Sequence, residues 1–528
     1  MRAARSLRTL AASMTLACAA ALLAAQPATG AVPVTEVPAP AATPAFTPQG
    51  FADEDFRMQS VSYRAATDNL VATTLKNQAN LNRVFTEKID KDSANNPDPW
   101  LTLRKMRPCA DLEVQALPPL HTVKEAYCWG KGHGDDVSTQ WNPQGMSHTG
   151  TANGGKGTIE GRSALAVAWY YNNTDDSKGA CVTHDTLRLT LIDETTQDYR
   201  HVLLVAPKST SATETDFAPV QGHGGGVVWY GSNIYVTDRD KGIRVFDLNS
   251  MAKVDEYGKD LKTVGVRTAT VGGVTKKLSS ACGYPYVIPQ SHQYQRPGNC
   301  KVDESGNRQP GILCYDWLSL DKTGGDAHFK LVTGEYHTKT GGRLVRYKLN
   351  PWSSTTTPGL LSMEDITVQD GTATKTVSRT AIHDAYRNNR YSGVQGAMTW
   401  TDGQGLMNVA LNKGCGSTPS VFAMTSTADV RPTYTRGCKI ERLTETTDLQ
   451  QGNWAAGTPQ ALSYWPVRGG AQVDEIWGLT EKVCETTFTP SAREPFDVCH
   501  QRAKKDPAKS LRVIYAVGIN DPEVRKLH

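Results

Sequence analysis

A short phrase built around glutamine recurs five times along this chain of 528 residues. In each copy a glutamine follows proline or valine and precedes a small residue, and the five are Gln144, Gln221, Gln290, Gln395 and Gln460. An amide side chain offers two donors and one acceptor, so the five could hydrogen-bond a ligand or fasten neighbouring elements together. The sequence leaves both roles open.

Three copies of the phrase carry a histidine two or four residues later. These histidines are His148, His223 and His292. Positions separated by two or four residues share one face of a β-strand. If the phrases line one channel, three imidazoles converge there and predict a transition-metal site, with a neutral polar lining of the channel as the alternative.

A second series of polar residues follows strand-like runs. Its acids are Asp238, Glu335 and Glu481, accompanied by Asp240 and Asn412. Recurrence at matching strand ends predicts that they share one rim of the fold. Carboxylates gathered there could bind Ca²⁺ or act as acid and base, whereas scattered acids would belong to solvated turns.

The elements that must position these residues are short strands separated by Gly, Asn and Asp turns. Clear examples are the runs 226–230, 233–237 and 242–247, and most phrases are followed by a comparable set. Recurring units of three or four strands predict an all-β fold, a β-propeller. We expect five blades rather than six, although the gap between the third and fourth phrases could hold another. Residues 101–140 could supply strands that close the ring.

The N-terminal part of the chain differs in composition. Residues 1–31 combine an arginine-containing start with an Ala/Leu run and small residues, which predicts a Sec-type signal peptide. Residues 32–50 form a Pro/Ala-rich linker, and 51–100 should contain one or two helices. The propeller domain is therefore predicted to span residues 101–528.

Ten cysteines follow Cys18, and an even number in a secreted chain predicts disulfides. Short spacing favours three pairs, Cys109–Cys128, Cys415–Cys438 and Cys484–Cys499. The remaining Cys181, Cys282, Cys300 and Cys314 allow three pairings, among which the sequence does not choose.

Charge and motifs exclude several classes of function. The net charge of +4 falls to +1 without Arg2, Arg5 and Arg8, the charged residues of the signal peptide. A nearly neutral protein lacks the basic face that nucleic acid requires. Nucleotide-binding, zinc-protease and serine-hydrolase motifs are absent from the sequence, and no stretch after the signal peptide predicts a membrane span.

Several phrases resemble those of secreted actinobacterial β-propeller proteins. They are Pro143-Gln144-Gly145-Met146, Val-Gln-Gly at 220 and 394, and Ile476-Trp477-Gly478-Leu479-Thr480-Glu481. The resemblance covers about residues 140–520 and implies the fold without a reaction. A more distant analogy to lactonase-like propellers implies a central Ca²⁺ held by acids and amides.

We therefore expect a secreted, disulfide-stabilised, monomeric propeller that binds an extracellular polymer, small molecule or protein at one mouth of the ring. Its ligand-binding residues would be the Gln/His lining. One alternative is a Ca²⁺-dependent lactonase or hydrolase that uses Asp238, Glu335 or Glu481, and the other is a structural envelope protein.

Overall fold

β-Strands make up nearly all the regular structure, so the all-β prediction is confirmed. The computed structural model describes residues 46–48, 56–89, 103–109, 123–130, 134–136, 138, 140–152, 157–172, 181–256, 260, 262–296, 298, 300, 311–337, 341–388, 393–401, 407–413, 420–425, 433–436, 439–442, 459–468, 471–481 and 512–518. No helix in these ranges is long and apolar enough to cross a membrane.

The strands are numbered in chain order. They are β1 (Phe46–Pro48), β2 (Gln59–Ser62), β3 (Asn77–Gln78), β4 (Arg104–Lys105), β5 (Arg107–Pro108), β6 (Val123–Cys128), β7 (Trp141–His148), β8 (Ala164–Tyr171), β9 (Leu187–Asp193), β10 (Asp198–Pro207), β11 (Phe217–Pro219), β12 (Val227–Tyr230), β13 (Asn233–Asp238), β14 (Gly242–Asp247), β15 (Ala252–Lys253), β16 (Val264–Val271), β17 (Val274–Ala281), β18 (Tyr286–Gln295), β19 (Trp317–Asp321), β20 (Lys330–Gly334), β21 (Arg343–Lys348), β22 (Met363–Asp370), β23 (Ala373–Thr380), β24 (Ile382–Asn388), β25 (Val394–Thr401), β26 (Met407–Lys413), β27 (Ser420–Thr425), β28 (Thr433–Arg436), β29 (Lys439–Arg442), β30 (Pro459–Arg468), β31 (Ala471–Thr480) and β32 (Val513–Gly518).

Two helices lie within the segment where the sequence predicts one or two. Helix α1 spans Arg64–Thr73 and α2 spans Leu81–Thr86. The side chain of Asn80 accepts a hydrogen bond from the Arg83 backbone and caps α2, as asparagine commonly does at a helix start. Both helices pack on β10, and α1 also packs on β18. A short helix α3, Thr149–Ala152, follows β7 directly.

The principal strands form five antiparallel units. Unit 1 is β7-β8-β9-β10, unit 2 is β12-β13-β14-β18, unit 3 is β19-β20-β21-β24, unit 4 is β25-β26-β27-β28-β29, and unit 5 is β30-β31-β32-β6-β5. The predicted runs 226–230, 233–237 and 242–247 match β12, β13 and β14 closely. Unit 5 takes β6 from the early part of the chain, with Val513 opposite Cys128, which confirms that residues 101–140 supply strands.

Strand β18 joins units 1 and 2. Its first half pairs in parallel with β10, and its second half pairs antiparallel with β14. The eight strands from β12 through β18 to β7 thus belong to one sheet. Because β12 and β7 also contact each other, this path nearly closes like a barrel.

The first strands of the units contact one another in a closed circuit. β7 touches β12, β12 touches β19, β19 touches β25, β25 touches β30, and β30 returns to β7. Glycines permit this approach. A Cβ atom on Gly145 would lie 2.8 Å from the Gly224 carbonyl oxygen, and one on Gly226 would lie 2.1 Å from the Leu318 nitrogen.

The glutamine phrase coincides with irregularities in strand pairing. Register shifts occur between Pro143 and Met146, between Val394 and Gly396, and between Gln460 and Leu462. Extra residues of this kind form β-bulges, which bend a strand and interrupt its ladder. In these three copies the phrase therefore marks a bulge near the start of a first strand.

The other two copies differ from this pattern. Gln221 precedes β12 and forms an isolated bridge with Thr186. Gln290 lies in β18, the last strand of unit 2, and not near the start of a first strand. Unit 3 begins instead at Trp317. The phrase occurs in β18 because this strand also contains a β-bulge at the phrase, opposite Val245 and Phe246.

The apolar core lies between the units. One cluster packs unit 1 on unit 2, a second packs unit 2 on unit 3, and a third packs unit 5 on unit 1. Trp229 belongs to the first, while Trp169, Trp465 and Trp477 belong to the third, and all four are fully buried. Aromatic side chains bury enough area to dominate such interfaces.

A buried ionic network lies beside the third cluster. The carboxylate of Asp135 accepts hydrogen bonds from Arg104, from Arg188 at 3.2 Å and from the Tyr199 hydroxyl at 2.9 Å. Nε2 of His201 lies 3.0 Å from the same carboxylate. Burial opposes the charge of Asp135, but His201 and Arg104 hold its pKa well below the ordinary value.

Three disulfides occur among the described residues. Cys109–Cys128 confirms the prediction, and the open middle four resolve as Cys181–Cys282 and Cys300–Cys314. The predicted pairs Cys415–Cys438 and Cys484–Cys499 lie outside the described residues.

The contact between β12 and β19 generates a stability prediction. A Cβ on Gly225 would lie 2.0 Å from the Asp316 carbonyl oxygen, whereas the nearest atom to one on Gly222 would be Leu187 Cδ1 at 3.3 Å, with backbone atoms no closer than 3.6 Å. We expect Gly225→Ala to destabilise the fold by about 3 kcal/mol, because backbone atoms cannot yield as a side chain can. Gly222→Ala is the control. Denaturant unfolding measures both, and equal losses would contradict the close-approach explanation.

Candidate binding site around Tyr170

In units 2, 4 and 5 the first and second strands bring members of the two polar series to the same end of the sheet. In unit 5, Gln460 at the start of β30 lies opposite Leu479 near the end of β31, and Glu481 follows that strand. Asp238 ends β13, and Glu335 follows β20. Asp238, Glu335 and Glu481 thus each lie at the end of the second strand of their own unit.

Tyr170 on β8 is the centre of a polar cluster drawn from three units. Its hydroxyl donates to Glu481 Oε1 at 3.4 Å, and its ring centroid lies 4.1 Å from that of His223. Gln460 Nε2 donates to Glu481 Oε2 at 3.2 Å. Unit 1 thus supplies the tyrosine, unit 5 the acid and amide, and the segment before β12 the imidazole.

Asp185 extends this cluster along the loop between β8 and β9. Its Oδ1 lies 4.0 Å from His223 Nδ1, and its Oδ2 lies 3.2 Å from His184 Nδ1. Asp185 has a φ of +64°, a left-handed conformation that aspartate tolerates better than most residues. We call Tyr170, Asp185, Gln221, His223, Gln460 and Glu481 the Tyr170 cluster.

Backbone hydrogen bonds hold the two loops of the cluster together. The Asp185 carbonyl accepts from the Gly222 nitrogen at 2.8 Å. Gln221 Nε2 donates to the Thr183 hydroxyl at 2.7 Å. The nearby Cys181–Cys282 disulfide closes a loop of 101 residues, which restricts the unfolded chain strongly. Gln221 therefore helps to fix the loop that carries Asp185.

Electrostatics and exposure suit this cluster to binding. Burial, with a further contribution from Glu481, raises the pKa of Tyr170, so the phenol stays protonated and remains a donor. The side chain of His223 is 44% exposed and that of Asp185 is 37% exposed, whereas Tyr170 is buried. A ligand would meet imidazole and carboxylate groups above a protonated phenol.

Arg512 lies next to the Tyr170 cluster and holds the Glu481 backbone in place. Its Nε donates to the Glu481 carbonyl at 2.8 Å and its Nη2 donates to Asn142 Oδ1 at 2.9 Å. Arg512 is 1% exposed, and burial lowers its pKa to about 10. Because Arg512 donates to the Glu481 backbone carbonyl, the guanidinium fixes where β31 ends, and its charge also attracts the Glu481 carboxylate.

The other two acids of the series are neutralised within their own units. Glu335 Oε2 accepts from Arg343 Nε at 2.8 Å and Oε1 accepts from Arg343 Nη2 at 2.7 Å, and Cys314 donates its backbone N–H at 3.0 Å. Asp238 Oδ2 accepts from Arg244 Nη2 at 2.7 Å. Both acids are held by arginines of the third strand, which argues against a catalytic role for either.

Gln290 belongs to the Asp238 arrangement. Its Oε1 accepts from Arg244 Nη1 at 2.8 Å, and its backbone carbonyl accepts from the Thr67 hydroxyl of α1 at 2.6 Å. The residue is fully buried. Gln290 therefore fastens α1 and β14 to β18, which is the structural role that the sequence left open.

The remaining glutamines of the series lie in first strands. Gln144 is buried in β7, and Gln395 is half-buried at the second position of β25. A ligand-binding role for these two stays a prediction. Gln221 and Gln460 are the members of the series that contribute to the Tyr170 cluster.

The three histidines do not converge, which corrects the prediction of a transition-metal site. His148 is buried and stacks on Trp465, with ring centroids 4.2 Å apart. His292 lies on β18, where Nε2 is 3.4 Å from the Ser62 hydroxyl. Only His223 joins the Tyr170 cluster. Within the described ranges, no group of three or more His, Cys, Asp or Glu side chains is arranged to hold a metal ion.

Sequence reasoning missed Tyr170 and Asp185. Tyr170 is the residue before the end of an apolar run, Ala164–Tyr171, that is typical of a buried strand and gives no sign of a polar contact. Asp185 lies in a loop outside any repeated phrase. Its approach to His223 arises only when the segment before β12 folds against that loop.

The comparisons with known proteins give no family for this chain. No protein-family model matches it, and no curated protein matches it at a significant level.

The contrast between Glu335 and Glu481 gives a testable difference. We expect Glu335→Gln to cost about 3–5 kcal/mol of unfolding free energy, because it leaves a buried arginine without its counter-charge. Glu481→Gln should cost less, about 1–2 kcal/mol, because its carboxylate hydrogen-bonds the neutral side chains of Tyr170 and Gln460 and attracts Arg512 only through space. Denaturant unfolding of both variants measures this, and a larger loss for Glu481→Gln would contradict the assignment.

Buried histidines predict acid sensitivity. Burial holds the pKa of His148 well below its ordinary value and lowers those of His201 and His292 to about 3 and about 4. The unfolded chain takes up protons near pH 6.5 that the folded protein does not, so stability falls as pH drops below that value. The loss per fully buried histidine between pH 7 and pH 5 is about 2 kcal/mol.

His148→Phe tests this linkage. The variant should show a shallower fall in unfolding free energy over that pH range, by about one proton. His223→Gln serves as the control, because that imidazole is 44% exposed. A pH slope that is unchanged in His148→Phe would show that this residue is not the neutral group inferred above.

Proposed function

We propose that the five antiparallel units are the blades of a β-propeller. Support comes from the closed circuit of first strands, in which β30 of unit 5 contacts β7 of unit 1. The pairing of β6 with β32 also links the beginning of the array to its end. Radial arrays of four-stranded sheets have this connectivity.

The protein is proposed to be secreted. Disulfides persist in oxidising compartments, and three lie within the described ranges. The sequence of residues 1–31 supplies a matching leader. The resemblance to secreted actinobacterial β-propeller proteins is compatible with this location.

The proposed function is binding of a hydroxyl-rich extracellular ligand, a polymer or a small molecule, at the Tyr170 cluster. One observation carries it. Of the three acids at matching strand ends, Glu481 is the one whose described side-chain partners are a phenol and an amide, Tyr170 and Gln460, instead of an arginine. Exposed His223 and Asp185 lie beside it. Hydroxyl groups can donate to the carboxylates and accept from imidazole and amide.

Calorimetric titration with soluble cell-wall polysaccharide fragments and neutral oligosaccharides tests this proposal. We expect Glu481→Gln and His223→Gln each to weaken binding about tenfold or more, because each removes a charged or ionisable hydrogen-bonding group. Glu364→Gln, which alters the partner of Arg57 instead, is the control. No binding across the panel, or undiminished binding by both site variants, would reject the proposal.

Hydrolysis at the same cluster is a second candidate. It is favoured because a carboxylate, Glu481, and an imidazole, His223, both contact Tyr170, so an acid and a base lie in one site. Turnover of chromogenic lactones, esters and glycosides that is lost in Glu481→Gln, while ligand binding persists, would favour the enzyme. Calcium belongs to this alternative and is tested by metal analysis and by melting with and without chelator.

A further inference from the structure

A cavity of about 470 Å³ lies beside the connection between β19 and β20 in unit 3. It is at the opposite end of β20 from Glu335. Its polar lining includes Lys330, Lys348, His328, His383, Asn350 and Ser362. Among the described residues that line it, none carries a carboxylate, so the polar surface is basic.

Lys330 is buried and lies directly opposite Asp321 in the ladder between β19 and β20, but no ion pair joins the two side chains. The residue is 7% exposed, and its Nζ donates to the His328 carbonyl at 3.0 Å. Within the described residues no carboxylate lies within ion-pair distance of this ammonium. Burial is the main cause that lowers its pKa. Buried lysines normally have a partner of opposite charge, because desolvation of an isolated ammonium is costly.

Lys348 adds a second positive charge on the same face. It lies directly opposite Lys330 in the ladder between β20 and β21, and its side chain is exposed. Like charges directly opposite each other destabilise an antiparallel pair. An anion between the two ammonium groups would reverse that effect.

The nearby carboxylates are directed at Arg346. Asp321 Oδ2 accepts from Arg346 Nη1 at 3.0 Å, and Asp384 Oδ1 accepts from Arg346 Nε at 2.6 Å. Asp321 also accepts from the Thr399 hydroxyl. Three cations, Arg346, Lys330 and Lys348, thus face two carboxylates, which leaves a charge of +1 (3 − 2) before any histidine is protonated.

We propose that this cavity binds a phosphate group carried by a small organic molecule or by an extracellular polymer. Two ammonium groups and two imidazoles surround one space, and phosphate offers more acceptor oxygens than a carboxylate does. The volume falls in the range of small-molecule sites and leaves room for an attached polyol. The site is separate from the Tyr170 cluster and does not depend on its function.

Isothermal titration of the full mature protein with inorganic phosphate and with glycerol phosphate tests this inference. Malonate and glycerol are the comparison probes. We expect glycerol phosphate to bind and the Lys330→Gln/Lys348→Gln double variant to lose at least about tenfold in affinity. Lys375→Gln is the matched control, because that lysine is exposed on a hairpin and pairs with Asp370. Teichoic-type glycerol phosphate polymer distinguishes the two sources of phosphate, since a polymer site would bind it more tightly than the monomer.

Melting temperature supplies an independent readout. Without phosphate, Lys330→Met should melt at a higher temperature than the unaltered protein, because the substitution removes a buried charge that no ion pair among the described residues offsets. With glycerol phosphate, the unaltered protein should gain stability and Lys330→Met should not. No heat of binding, tighter binding of malonate than of phosphate, or a double variant that binds as well as the unaltered protein would overturn the proposal.

Discussion

Close backbone packing between first strands is the constraint on which the rest of this fold depends. At Gly225 and Gly226 even a methyl group would collide with the backbone of the neighbouring unit. Gly396 is similarly close to Ala461 and Leu462 of unit 5. Such contacts fix where each first strand begins relative to its neighbours. Because the second strand pairs antiparallel with the first, they also fix where the second strand ends. The Tyr170 cluster exists because three of these strand ends are held side by side.

The bulges explain why the glutamine phrase is a useful but imperfect guide. A residue pair such as Gln144-Gly145 supplies a polar side chain and a position without a Cβ, which together suit a bulged strand packed against its neighbour. Because bulged strands in close contact need these residue types, they recur in the sequence as a recognisable pattern. That pattern made it possible to predict β12, β13, β14 and the strand-end acids. A bulge also occurs in β18, which is the last strand of its unit. The sequence alone therefore does not distinguish Gln290 from the other four glutamines. Tyr170 and Asp185 were not predictable, since their roles depend on contacts between units.

The Asp135 network shows how burial changes the meaning of familiar residue types. His201 lies between Asp135 and Thr190, with Nδ1 2.6 Å from the Thr190 hydroxyl and Nε2 3.0 Å from the carboxylate. This order of acid, imidazole and hydroxyl is that of a proton relay. Yet all three side chains are within 1% of full burial, and Arg104 and Arg188 already share the carboxylate. The network therefore fastens the segment between β6 and β7 to β4, β9 and β10, and its side chains are closed to solvent.

The strand-end acids Asp238 and Glu335 share one arrangement, and Glu481 departs from it. In units 2 and 3 the acid after the second strand is bound by an arginine of the third strand, Arg244 or Arg343. In unit 5 the third strand begins beside Arg512, but that guanidinium donates to the backbone of Glu481 and to Asn142. The carboxylate is left to Tyr170 and Gln460. A structural acid needs a counter-charge to offset its desolvation, whereas an acid that binds a ligand must keep its acceptor oxygens available. The departure in unit 5 thus separates Glu481 from its two counterparts on physical grounds, and it does so in residues that occupy equivalent places in the fold.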